Sequence, residues 1–165
     1  MNLLYRNNIA SAKRLLSLCR EKGVTLATAE SCTGGMIGTT LTSIPGSSDV
    51  YLGGIISYAN SAKENLLGVS HETLTLHGAV SEDCAKAMAE GAQKALSATL
   101  AVSVTGIAGP GGETREKPVG LVHFGVATEN TVAHQKRHFS GNREIIRLKT
   151  VATALALLEE TVKSL

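Results

Sequence analysis

The sequence predicts a three-layer α/β/α domain around a mixed, mostly parallel sheet of about five strands. Short runs rich in β-branched residues alternate with stretches whose apolar residues recur at helical spacing. Two of the later runs are joined only by Glu129 and Asn130, which favours an antiparallel hairpin. Alternating helices and strands with one hairpin are typical of a mixed sheet covered by helices on both faces.

The first half of the chain predicts two strands separated by helices. We expect the helices over residues 8–22, 34–43 and 62–68 and the strands over residues 24–29 and 51–58. Gly23 follows the first helix where a left-handed C-terminal residue is favoured. Ser61-x-x-Glu64 resembles a capping box, so we expect the helix that follows it to begin at about Ala62.

The second half predicts one long helix, three strands and a C-terminal helix. Ser81 precedes the acidic pair Glu82-Asp83, a combination that favours a helix start. The strands are expected over residues 99–105, 120–127 and 131–139, and the last helix over residues 142–163. A loop rich in glycine and proline, Gly106–Pro118, separates the third strand from the hairpin.

Composition narrows the class of protein and its partners. A chain of 165 residues with 43% apolar and 18% charged residues fits one globular domain over residues 1–165. The net charge of +2 does not indicate a nucleic-acid partner, and no apolar run is long enough to span a membrane. Three cysteines without paired spacing suggest reduced thiols and a cytoplasmic protein. Small size and apolar composition favour a homo-oligomer.

Three distinctive segments fall at the ends of predicted strands. They are Glu30–Gly35, Tyr58–Lys63 and Thr105–Gly112. Ligands of α/β sheets bind beyond the carboxyl ends of parallel strands, so these segments predict a site. Gly34 and Gly35 have two interpretations that the sequence leaves open: close packing of a helix on the sheet, or a helix N-terminus that binds an anion.

The stretch from Pro45 to Lys63 carries the residues of a hydrolytic site without histidine. It contains Ser47 and Ser48 in a turn, Tyr58 at a strand end and Lys63 in the first turn of a helix. The positive end of the helix and partial burial would both lower the pKa of Lys63, which suits a general base. The alternatives are a solvated lysine and a tyrosine packed at a sheet edge. Cys32 is a weaker candidate nucleophile.

Several motifs together resemble one family over nearly the whole chain. They are A-E-S-C-T-G-G (29–35), P-G-S-S (45–48), Y-x-N-x-A-K (58–63), H-G-A-V-S (77–81), V-T-G-I-A-G-P-G-G (104–112), K-P-V-G (117–120) and F-S-G-N-R (139–143). These segments are closely similar to the CinA C-terminal domain family. The resemblance implies an amidohydrolase that converts nicotinamide mononucleotide to nicotinate mononucleotide and ammonia, without a metal or other cofactor.

The resemblance also implies roles for individual residues. Ser48 would be the nucleophile, with Ser47 less favoured, Lys63 the general base, and Tyr58 the group that orients the lysine or relays its proton. The substrate-binding candidates are Ser31, Thr33, Gly34, Gly35, Asn60, Thr105, Gly106 and Arg143. A chain beginning just before its first helix is expected to be a stand-alone form. The alternative function is a non-catalytic nucleotide-binding or protein-interaction module linked to competence or DNA damage.

Overall fold

A computed structural model describes all residues from Met1 to Leu165, and its centre is a five-stranded sheet. The strands are β1 (Leu26–Glu30), β2 (Tyr51–Ile56), β3 (Leu100–Gly106), β4 (Leu121–Thr128) and β5 (Val132–His138). Their order across the sheet is β2-β1-β3-β4-β5. β2, β1 and β3 pair in parallel, whereas β4 is antiparallel to both β3 and β5. Four of the five strands therefore run in one direction, as the predicted mixed, mostly parallel sheet requires.

Helices cover both faces of the sheet and complete the three predicted layers. They are α1 (Leu3–Lys22), α2 (Met36–Thr42), α3 (Asn60–Leu67), α4 (His71–His77), α5 (Glu82–Leu96) and α6 (Arg143–Ser164), with a 3₁₀ turn at Ser47–Asp49. The helices α1, α2 and α6 bury one face, and α3, α4 and α5 bury the other. None of these helices has both the length and the apolar character that crossing a membrane would require.

Strand alternation assigns large and small residues to different faces. Leu26 and Leu100 belong to the core under α1 and α6, whereas their neighbours Ala27 and Ala101 face α5. The small residues allow α5 to approach the sheet closely. At Gly125 on β4 a Cβ atom would overlap the backbone carbonyl of residue 85 in α5, so this contact requires glycine.

The predicted helix ends were partly right. Ser81 Oγ accepts a hydrogen bond from Cys84 N at 3.2 Å, and Gly23 ends α1 in the left-handed conformation. The predicted capping box is wrong, because α3 begins at Asn60 and no side chain caps it. The helix α4 was not predicted at all; it spans seven residues and is capped by Ser70. So short a helix offers too few apolar repeats to be recognised.

The fold joins the carboxyl ends of β1, β2 and β3 at one edge of the sheet. Ser57 N, just beyond β2, donates to Glu30 O at 2.9 Å. Ser31 N, just beyond β1, donates to Val104 O of β3 at 3.0 Å. These two bonds extend the parallel pairing past the strand ends and hold the residues that follow β1 and β2 side by side.

Candidate active site

A cleft of about 270 Å³ opens where β1, β2 and β3 end. Its wall is formed by the turn after β1, the β2–α3 connection, the first half of α3, the loop before α5, the end of β3 with the glycine-rich loop that follows, and the start of α6. The lining residues are Ser31, Cys32, Tyr58, Lys63, Ala79, Val80, Thr105, Gly106, Ile107, Ala108, Gly109, Gly111, Gly112 and Arg143. The location agrees with the rule that α/β sheets bind ligands beyond the carboxyl ends of their parallel strands.

Lys63 is the most unusual side chain in the cleft, because it is only 1% exposed. Its Nζ lies 2.6 Å from Ser57 O and 3.4 Å from Tyr58 O, both in the segment between β2 and α3. The third neighbour of Nζ is Ser31 Oγ, at 3.0 Å. The interpretation of Lys63 as a solvated lysine is therefore wrong, and its hydrogen-bond partner in the cleft is Ser31.

Burial lowers the pKa of Lys63 from its ordinary value of 10.5, as the sequence predicted. No carboxylate forms an ion pair with its Nζ. The nearby thiols of Cys32 and Cys84 do not supply a counter-charge either, because burial raises their pKa values to about 12 and about 11. Burial without a counter-ion shifts Lys63 toward its neutral form, and this is the form that accepts a proton.

The same burial argues against Cys32 as a nucleophile. Its side chain is 6% exposed, and a thiol whose pKa is about 12 is almost entirely protonated near neutral pH. A reactive cysteine requires the opposite environment, in which positive charge lowers the pKa. Cys32 therefore contributes to the wall of the cleft as an uncharged side chain.

The turn that carries Ser31 is held from one side by the buried carboxylate of Glu30. Its Oε1 accepts from Thr33 Oγ1 at 2.6 Å and from Ile37 N at 2.8 Å. Its Oε2 accepts from Gly38 N at 3.0 Å. The carboxylate thus satisfies backbone donors at the start of α2. The proposed anion site at Gly34 and Gly35 is therefore wrong, since a carboxylate of the chain itself already binds this helix end.

Arg147 on α6 holds the same turn from the other side. Its Nε donates to Cys32 O at 3.1 Å, and one terminal nitrogen donates to Thr33 O at 2.9 Å. Hydrogen bonds from a charged group are stronger than neutral ones, so this guanidinium fixes the path of the backbone directly after Ser31. The position of Ser31 Oγ next to Lys63 thus depends on residues from β1 and α6.

Tyr58 and Arg143 form the rim of the cleft. Arg143 is the first residue of α6; one of its terminal nitrogens donates to Gly109 O at 2.9 Å and the other to the Tyr58 hydroxyl at 3.3 Å. The Tyr58 side chain is 64% exposed, and its hydroxyl makes no hydrogen bond to Lys63. Tyr58 contacts the lysine only through its backbone carbonyl, so its predicted part in orienting Lys63 is performed by the main chain.

Ser48 lies at the other end of β2. The turn Ser47–Asp49 precedes the strand, whereas Lys63 follows it. Six residues at about 3.3 Å each separate the two positions by about 20 Å. The predicted meeting of Ser48 and Lys63 therefore does not occur within one chain, and the same holds for Ser47. Ser31 occupies the position next to Lys63 that was predicted for Ser48.

The remaining substrate-binding candidates divide into two groups. Thr105 and Gly106 line the cleft, and Thr105 Oγ1 donates to Ala79 O at 2.8 Å, which ties the end of β3 to the loop before α5. Four other candidates do not line it, and they are Thr33, Gly34, Gly35 and Asn60. Thr33 is completely buried, while Asn60 is exposed at the start of α3. Glu30 and Arg147 had no predicted individual role, because their hydrogen bonds to the turn after β1 are visible only in the tertiary structure.

These features define a class of protein: a small α/β domain with a buried serine–lysine pair at the carboxyl ends of parallel strands. The sequence profile of the CinA C-terminal domain matches residues 8–162. The chain belongs to the CinA C-terminal domain family, as its motifs predicted.

Similar solved structures and relatives place the chain in the same family. The crystal structure of the competence/damage inducible protein CihA from Agrobacterium tumefaciens is similar over 99% of both chains, with a TM-score of 0.93 and 46% identity. A CinA superfamily protein from Klebsiella pneumoniae gives a TM-score of 0.93 at 32% identity, over 96% of this chain and 99% of the other. CinA-like proteins from Synechococcus sp. (strain RCC307) and Thermotoga maritima are 50% and 42% identical over 149 residues each, which is 89% and 90% of this chain. The match spans only 36% of the length of each of these two relatives.

Proposed function

We propose that this chain hydrolyses the carboxamide of nicotinamide mononucleotide, giving nicotinate mononucleotide and ammonia. The observation that carries the proposal is the 3.0 Å contact between Lys63 Nζ and Ser31 Oγ, at the base of a cleft. The contact joins a hydroxyl, which needs a base to become a nucleophile, to an amine whose burial favours its neutral form. The resemblance to the CinA family supplies the expected substrate.

Ser31 takes the role that the sequence analysis assigned to Ser48. As a neutral amine, Lys63 has two N–H donors for Ser57 O and Tyr58 O and one lone pair for the Ser31 hydroxyl. After it takes the proton it has three donors for the same three oxygens. One set of contacts therefore serves both protonation states, so the transfer requires no rearrangement of the lysine.

The reaction then follows the course of acyl transfer. Ser31 Oγ attacks the carboxamide carbon while its proton passes to Lys63, and a tetrahedral intermediate forms. Lys63 returns the proton to the departing nitrogen, which leaves as ammonia, and water hydrolyses the ester on Ser31 by the same exchange. Cys32 and Ala108 line the cleft, and their backbone N–H groups donate to no backbone oxygen of the chain. They are the candidate oxyanion donors, and one such donor is worth about 3 kcal/mol.

The charge at the rim suits a phosphorylated substrate. Arg143 is the cationic side chain at the mouth, while the only other basic side chain of the lining, Lys63, is buried at the base. A guanidinium pairs well with phosphate, so Arg143 is the candidate phosphate ligand. In this arrangement the carboxamide points inward to Ser31 and the phosphate stays at the solvent-exposed end.

The proposal is tested by following both products. Purified protein is incubated with nicotinamide mononucleotide, ammonia is measured enzymatically, and the carboxylate product is identified by proton NMR. We expect equal amounts of the two products, and no turnover by Lys63→Ala under the same conditions. Absence of ammonia above a protein-free control, with folded wild-type protein, would overturn the proposed activity.

A further inference from the structure

Ser57 carries the one buried side-chain oxygen or nitrogen of the chain that has no hydrogen-bond partner. The residue is completely buried, so water does not reach its hydroxyl. A buried hydroxyl without a partner lowers stability, because it gives up its hydrogen bonds to water on folding. Alanine would occupy the same place without this cost, so folding alone does not favour a serine at this position.

The main chain of Ser57 joins the two halves of the serine–lysine pair. Its N–H donates to Glu30 O, directly before Ser31, at 2.9 Å, and its carbonyl accepts from Lys63 Nζ at 2.6 Å. Ile55, two residues earlier, packs against the core that α3 and α5 cover. Because the bond to Glu30 O continues the parallel pairing, the Ser57 side chain lies on this same face, from which α3 brings Lys63 to the site.

The missing partner of the Ser57 hydroxyl is explained by a neutral lysine. A neutral amine has two N–H donors, and the carbonyls of Ser57 and Tyr58 accept both of them. The remaining lone pair faces the hydroxyl of Ser31. Lys63 therefore has no donor left for Ser57 Oγ until it takes up a proton.

Proton transfer changes the number of donors and the quality of their acceptors. The ammonium has three N–H groups, but Tyr58 O is 3.4 Å from Nζ, which is long for a hydrogen bond. Ser31 Oγ becomes a weaker acceptor once it is bonded to the carbon of the substrate. Of the three oxygens around the ammonium, only Ser57 O then remains a strong acceptor.

We infer that Ser57 is a positioning residue for Lys63, and that its hydroxyl rotates to accept a hydrogen bond from the ammonium that forms when Ser31 gives up its proton. Rotation about a single side-chain bond is sufficient for this change. The new hydrogen bond stabilises the charged lysine of the intermediates and not the neutral lysine of the resting site, and such a difference accelerates the reaction. The inference rests on the proposed function, since it assigns Ser57 a part in the reaction of Ser31 and Lys63.

The first test measures the protonation of Lys63 without turnover. Protein labelled with ¹³C at lysine Cε is titrated by NMR, and the Lys63 resonance is identified by its absence in Lys63→Ala. Ser57→Ala removes an acceptor from the charged form only, so we expect the midpoint of the Lys63 titration to fall by about one pH unit. An unchanged midpoint would overturn the inference. A lowered midpoint in a protein that does not hydrolyse nicotinamide mononucleotide would refute the proposed function alone.

The second test separates a catalytic benefit from a structural one. Ser103 is the matched control, because it is also completely buried, but its Oγ donates to Ala85 O and accepts from Gly125 N at 3.1 Å. We expect Ser103→Ala to unfold at lower urea concentration with unchanged kcat. Ser57→Ala should unfold at the wild-type urea concentration or above it, while its kcat falls by about tenfold to a hundredfold. Wild-type kcat in Ser57→Ala, or a loss of stability equal to that of Ser103→Ala, would overturn the inference.

Discussion

Lys63 Nζ lies 3.0 Å from Ser31 Oγ, although 32 residues separate them in the chain. The contact exists because β1 and β2 are parallel neighbours, so the residues that follow them meet at one edge of the sheet. Lys63 is buried there without a carboxylate partner, a state that costs stability. The proposed role as general base would account for a lysine at this position.

The pH dependence of turnover should report the protonation of Lys63. Its pKa is lowered from 10.5 by burial, and only the neutral amine accepts the Ser31 proton. We therefore expect kcat/KM to rise with pH and to level off once Lys63 is neutral, with a midpoint below 10.5. Lys63→Arg should lose about a hundredfold or more, because guanidinium stays protonated. A wild-type profile without an acid limb would contradict the assignment.

Arg147 should affect the chemical step rather than substrate binding. Arg147→Ala removes the donors to Cys32 O and Thr33 O and so loosens the turn that carries Ser31. A charged hydrogen bond is worth about 1.5–3 kcal/mol, so we expect kcat to fall by about tenfold to a hundredfold, with KM nearly unchanged. Arg147→Lys should recover part of the loss. The role is refuted if steady-state kinetics show a raised KM at constant kcat.

Arg143 should discriminate between substrates with and without a phosphate. If its guanidinium binds the phosphate, Arg143→Ala should raise KM for nicotinamide mononucleotide by about tenfold or more. The riboside lacks the phosphate, so its kcat/KM should change little. Steady-state assays with both substrates check this prediction. An equal loss for both would instead indicate that the contact with Gly109 O, which holds the glycine-rich loop, is what matters.

A histidine pair outside the cleft lining should make stability sensitive to acid. His123 Nδ1 and His134 Nε2 are 2.9 Å apart, and burial, followed by the charge of His134, lowers the pKa of His123 from 6.5 to about 4. As the pH falls from 6.5 toward 4, His123 becomes protonated in the unfolded chain but stays neutral in the folded chain. The free energy of unfolding therefore falls over this pH range.

His123→Gln isolates this contribution, because an amide does not titrate. Urea unfolding across this pH range should show a smaller loss of stability in His123→Gln than in the wild type. Subtracting one stability curve from the other removes the contributions of the carboxylates, which both proteins share. Parallel curves would mean that His123 has the same proton affinity in the folded and unfolded chains.

Much of the fold follows from local sequence signals. The five strands and the ends of α1 and α5 were predictable, because β-branched runs, Gly23 and Ser81 act through their own backbone neighbourhood. The start of α3 was predicted incorrectly, because Ser61 matches a capping pattern but lies inside the helix. The antiparallel β4 required knowledge of the pairing between β3 and β4, which no local signal provides.

In the candidate site, too, some residues were predictable from local sequence and others only from tertiary structure. Lys63 was identified from its place in a helix, and burial came as expected. Its partner was not identified, because the family resemblance was taken to imply Ser48, and Ser31 was predicted only as a substrate-binding residue. The direction of the strands determines which serine lies near Lys63. Ser48 precedes β2, whereas Ser31 follows the parallel neighbour β1 and so lies at the same edge of the sheet as Lys63. The rule that ligand sites lie beyond the carboxyl ends of parallel strands therefore favoured Ser31 over Ser48. Arg147 required tertiary structure, since its partners are backbone carbonyls more than a hundred residues away.

The central claim is that Ser31 and Lys63 form the nucleophile–base pair, and the most direct test is ammonia release by Ser31→Ala. Removing a nucleophile that acts together with its base is expected to reduce turnover by at least about a thousandfold. Ser61→Ala is the matched control, because Ser61 is an exposed serine on α3 that does not line the cleft. We expect turnover of nicotinamide mononucleotide to be lost in Ser31→Ala and retained in Ser61→Ala. Wild-type turnover by a folded Ser31→Ala protein would contradict the account.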